Sequence, residues 1–169
     1  MSSVVTLSIV LLVLAGICLV IIFLHNRSKQ KQAGWRISRF TKIAHENKLV
    51  LSDTDQLVHG MLGIDYSNNK LCVFQEPVDC IIDIGCLKRC HKQKKWLHIP
   101  ASKDNHRPET HLEKIVLACE FKQQGLPVEL VFYEYQYNSI FQMQELEQQA
   151  DYWEIVINQQ MNSHETVQA

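Results

Sequence analysis

The stretch "CIIDIGCLKRCHKQKK", residues 80–95, gathers the residue types best suited to chemistry. Cys80, Cys86, Cys90 and His91 are potential metal ligands or nucleophiles, and Lys88, Arg89, Lys92, Lys94 and Lys95 surround them with positive charge. A structural zinc site favours two close cysteine pairs, because a tight turn places two thiolates on one tetrahedral face. Cys86 and Cys90 have three residues between them and His91 follows at once, but no second pair completes the set. A reactive thiol needs nearby cations to lower its pKa and a positioned base, and His91, His98 and His59 are candidates for that base. The alternative is packing. Cys80, Ile82, Ile84 and Cys86 alternate, so a strand would place them on one face as small apolar groups, with Asp79 and Asp83 on the other. Gly85 then permits a bend before the chain turns basic.

Two functional readings follow. The first is a non-catalytic binding or scaffolding module, with Lys88, Arg89, Lys92, Lys94 and Lys95 forming a solvated rim that faces a lipid or an acidic partner. The second is a metal- or redox-responsive module using Cys86, Cys90 and His91. No dinucleotide, phosphate-loop, zinc-protease or nucleophile-elbow motif occurs in the 169 residues. No cofactor is implied, and the chain is read as a non-enzyme. Nucleic-acid binding is unsupported, since the net charge is −1 and the cations lack interleaved aromatics.

The elements that must position these residues follow from periodicity. Residues 4–24 are apolar and uncharged, which matches the ~20 residues a helix needs to cross a bilayer. Six cations and no acid lie between residues 25 and 42, so the flank predicts a cytoplasmic side for the rest of the chain. The expected organisation is a transmembrane anchor (1–24), a basic juxtamembrane linker (25–35), a short amphipathic helix (36–48), a folded domain (56–161) and a flexible tail (162–169). The expected location is the plasma (inner) membrane, single-pass, with the N-terminus outside and the domain cytoplasmic. Anionic lipid head groups or a protein would be the partner.

From Gln56 the apolar period becomes two. "QLVHGMLGIDYSNNKLCVFQ" reads as strand, Asn68-Asn69 turn and strand; alternation of Ile115, Leu117, Cys119 and Phe121, and "VELVFYEYQY" with apolar residues on both faces, add strands to a total of about six. Asp53 and Asp55 read as turn residues. Ser139 and Gln142 have capping-box spacing, and Met143, Leu146, Ala150, Trp153, Ile157 and Met161 form one helical stripe. Seven acids and no Lys or Arg follow Gln123, so the acidic helix is expected to face away from an anionic membrane surface.

Strands followed by one amphipathic helix give an α+β class. The order resembles the pleckstrin-homology-like fold, a bent antiparallel sheet or barrel capped by a C-terminal helix with an inward tryptophan; Trp153 in "QQADYWEIVI" matches that residue. With residues 4–24 as an N-terminal transmembrane helix, the whole chain resembles small membrane-anchored bacterial proteins built on such a domain. The resemblance implies a binding role. The first hairpin, "IDYSNNKL", carries only Lys70 where phosphoinositide-binding members carry a basic motif.

Overall fold

The computed structural model describes residues 34–75, 78–100, 109–123 and 125–167. The chain divides into two compact units, Met1–Lys42 and Ile43–Ala169. Helix α1 occupies residues 34–46. Within the first unit its Arg39 guanidinium lies 5.5 Å from the centre of the Trp35 ring. In the second unit α1 is closed by a turn in which Lys48 adopts a left-handed φ of 54° and Leu49 N–H returns to Ala44 O at 2.9 Å. Glycine usually fills that position, because a Cβ is unfavourable there.

Seven strands follow: β1 (Asp53–Leu57), β2 (Gly60–Asp65), β3 (Lys70–Gln75), β4 (Val78–Asp83), β5 (Leu87–Ile99), β6 (Glu109–Phe121) and β7 (Val128–Glu134). They make two antiparallel sheets, β1-β2-β3-β4 and β5-β6-β7. A 3₁₀ turn at Ile84–Cys86 carries the chain from the first sheet into the second. The sheets also meet elsewhere, where Val58 N–H donates to Val131 O at 3.0 Å. Gly60 is required beside that turn, since a Cβ there would sit 1.7 Å from Phe74 O.

The C-terminal helix α2 (Met143–Val167) follows a 3₁₀ turn in which Gln142 Oε1 accepts from Ser139 N–H at 3.1 Å. It buries Ala150, Trp153 and Ile157 against a core of alternating residues from both sheets. Those include Leu62 and Ile64, Leu71 and Val73, Ile115 and Leu117, and Leu130 and Phe132. Trp153 is 1% exposed and heads the fully buried side chains by volume.

Several expectations are corrected. The α+β class with a C-terminal helix stands, but the transmembrane component does not. Among the described residues no helix is long and apolar enough to cross a membrane. The single-pass inner-membrane placement loses its support with it; residues 4–24 and 25–33, on which it rested, lie outside the described residues. Asp53 and Asp55 belong to β1 rather than to a turn. The first expected strand is two strands, broken at Val58-His59. Cys86 does not continue a strand face: β4 ends at Asp83 and the 3₁₀ turn leaves Cys86 exposed. The helix continues through Val167, past the end expected at 161.

Candidate binding surface

The basic stretch is not a rim after the sheet but β5 itself, thirteen residues long. Side chains alternate along a strand, so its cations divide between two faces. Lys92 pairs with Glu147 at 3.0 Å and with Asp151, while Lys94 reaches Glu147 at 2.7 Å. Lys95 pairs with Glu129 of β7. The acidic face of α2 therefore turns toward these lysines. Burial opposes the charge on Lys92, but its hydrogen bonds to Asp151 and Glu147 outweigh it and raise its pKa. Glu147 is held below the usual carboxylate range by Lys94 first and Lys92 second. Lys88 and Arg89 are exposed. Lys88 borders an open cleft of about 320 Å³ beside the β6–β7 connection, together with Glu120, Phe121 and Lys122. Its charge is of mixed sign, so the cleft does not select an anion.

Cys86, Cys90 and His91 do not converge. Cys86 is exposed and Cys90 is buried. Cys90 and His91, adjacent on a strand, point to opposite faces. On its face His91 Nε2 meets Gln93 Nε2 at 2.7 Å, and its Nδ1 lies 3.8 Å from Glu120. Among the described residues no group of three His, Cys, Asp or Glu side chains is placed to hold a metal ion. The thiol of Cys72 is pushed up to about 11, chiefly by burial, and that of Cys80 is raised for the same reason. Thiols so shifted are poor nucleophiles near neutrality.

Two buried carboxylates complete the charged groups. Glu134 accepts from Lys114 at 2.9 Å and meets His59 at 2.7 Å, at the place where the β1–β2 turn rests on β7. Asp65 accepts from Val50 N–H, Asn68 N–H and the Asn68 side-chain amide, at 2.7–3.0 Å. For both, burial is the largest influence and raises the pKa, yet the combined hydrogen bonds lower it. Carboxylates held ionised by two or three partners are weak bases and serve as locks. Asp65 ties the chain ahead of β1 to the β2–β3 turn.

One feature of β5 is not spent internally. In its sheet β5 is terminal, so among the described residues no strand pairs with its outer edge. Helix α2 lies along part of that edge, where Asn158 Nδ2 donates to Cys90 O at 2.8 Å. Beyond Lys95 a bulge re-aims the strand, and Trp96 to Ile99 pair only with Leu112 to Glu109 of β6. This ribbon runs past the end of β7, whose last pairing is Glu134 with Lys114. Trp96 and Leu97 are about half exposed on it, at 52% and 46%. Tyr135 stacks on His111 of the same ribbon at 6.3 Å. An unpaired edge with exposed aromatic groups offers backbone hydrogen bonds and apolar anchors together. The sequence pointed to the cations of this strand and missed Trp96 and Leu97. Their signal was available, as two large apolar residues directly after a run of lysines. No family model, curated protein or solved structure matches the chain.

Proposed function

We propose that residues 43–167 form a pleckstrin-homology-like domain acting as a non-catalytic binding module, and that its ligand is an extended protein segment laid along the outer edge of β5. The element order supports the architecture: four strands, three strands, then a helix with a buried tryptophan. The observation that carries the ligand class is the outer β5 edge beyond α2, which among the described residues pairs with no strand and continues into a ribbon with Trp96 and Leu97 exposed. Edge addition supplies main-chain hydrogen bonds without demanding a particular sequence, and the exposed tryptophan supplies an anchor. The internal pairing of Lys92, Lys94 and Lys95 argues for this edge over the five-cation rim, because their charge is already met by Glu147, Asp151 and Glu129.

The test uses random ten-residue peptides displayed on phage and selected on the purified full chain. Trp96→Ala should weaken a selected peptide about tenfold or more, the scale of a tryptophan anchor, with the melting temperature unchanged. Affinity that survives both Trp96→Ala and Leu97→Asp would place the ligand elsewhere.

A further inference from the structure

Two buried thiols face each other inside the second sheet. Cys90 of β5 and Cys119 of β6 are direct cross-strand partners, and their sulfurs lie 3.5 Å apart. Both are buried, at 2% and 0% exposed. Opposed residues of an antiparallel pair have Cα atoms ~4.5–5.5 Å apart, depending on whether they exchange backbone hydrogen bonds. That range falls inside the ~4.4–6.8 Å that a disulfide accepts. Closing a bond between these sulfurs therefore needs side-chain rotation and no movement of the strands. The two cysteines are 29 residues apart in sequence, so no local pattern announces the pair.

We propose that Cys90 and Cys119 are an oxidisable dithiol, which a hydroperoxide converts to a disulfide that fastens β5 to β6 beneath α2. One sulfur, as thiolate, attacks a peroxide oxygen and breaks the O–O bond, giving a sulfenic acid and hydroxide; the hydroxide takes the proton the first thiol released. The second sulfur displaces the sulfenic oxygen as water. Two thiols and one hydrogen peroxide thus yield one disulfide and two waters, with sulfur oxidised and oxygen reduced.

Helix α2 governs how fast this happens. The hydrogen bond between the two thiols, and burial after it, push the Cys90 thiol well above its ordinary value, so thiolate is scarce while the core is closed. The helix is held over β5 by Asn158 on the Cys90 carbonyl and by Glu147 and Asp151 on Lys92. Lifting α2 admits water and peroxide to the pair. Oxidation therefore reads the docking of α2, and the resulting bond makes the β5–β6 pairing permanent under it. This inference stands on the thiol pair and does not depend on a ligand at the β5 edge.

The test is a disulfide map of the reduced full chain. The folded protein is incubated with hydrogen peroxide, its remaining thiols are alkylated, and it is digested without reduction. A peptide linking Cys90 to Cys119, lighter by two hydrogens than the sum of its parts, should accumulate, and the melting temperature should rise. Lys92→Gln, which frees α2 from one of its holds, should speed the cross-link several-fold. A map in which Cys86 is oxidised while Cys90 and Cys119 remain alkylatable after unfolding would overturn the proposal. A Cys90–Cys119 link that forms only in denaturant would overturn it equally.

Discussion

Trp153 donates its indole N–H to Asp55 Oδ2 at 3.1 Å, joining the largest buried side chain of α2 to strand β1. One residue earlier, Tyr152 reaches Asp53 Oδ2 at 3.3 Å, and Tyr66 donates to the same oxygen at 2.6 Å. The two aspartates of "SDTDQ" thus receive the helix that packs against both sheets. Trp153→Ala should cost about 3–5 kcal/mol, the range for removing a large buried aromatic. Asp55→Ala, which removes one acceptor and leaves the ring packed, should cost about 1–2 kcal/mol. Urea unfolding of the two variants checks both figures, and their order is the informative result.

Gly60→Ala should be disruptive out of proportion to its size. The added methyl would lie 1.7 Å from the Phe74 carbonyl oxygen, so β2 and β3 must part locally. The expected loss exceeds about 2 kcal/mol, with a broadened thermal transition. An alanine variant that melts with the parent would mean that the β2–β3 register differs from Gly60↔Gln75.

Lys48→Gly should act in the opposite direction. Lys48 holds φ at 54° at the end of α1, where a side chain costs energy and glycine does not. A gain of about 0.5–1 kcal/mol is expected by thermal unfolding, reduced somewhat by the greater freedom of glycine in the unfolded chain.

Acid should destabilise the domain through Asp65, Glu134 and Glu147, whose folded pKa values all lie below the ordinary 3.8 or 4.5. A depressed carboxylate contributes its full stability above the unfolded pKa and loses it as pH falls through the folded one. The melting temperature should hold from neutrality to about pH 5 and fall below about pH 4. Asp65→Asn should flatten that fall, because it removes one of the three titrating groups while lowering stability at neutral pH.

Much of this architecture is legible from periodicity. Ile115, Leu117 and Cys119 alternate, and Ala150, Trp153 and Ile157 repeat at helical spacing, since each element must bury one face. The turn at Val58-His59 is not legible, because neither residue carries turn chemistry and the glycine beside them, Gly60, lies within a run of apolar alternation. Strand β5 is harder still. A run of five cations over eight residues reads as solvated charge, and Lys92, Lys94 and Lys95 are met by acids 34 to 59 residues away. A separation of 29 residues hides Cys119 from Cys90. Contacts of that separation leave no trace in a local window, so the elements were readable and the pairing of charges and thiols was not.

A partner strand on the outer edge of β5 would turn an edge strand into an interior one. Backbone hydrogen exchange of the full chain, with and without a peptide selected on it, tests this most directly. Edge amides of β5 between Lys94 and His98 should exchange more slowly in the complex, because new inter-strand hydrogen bonds occupy them. Amides of β6 that already pair on both sides should change little. Protection confined to the β6–β7 connection or to Lys88 and Arg89, with the β5 edge unchanged, would contradict the account.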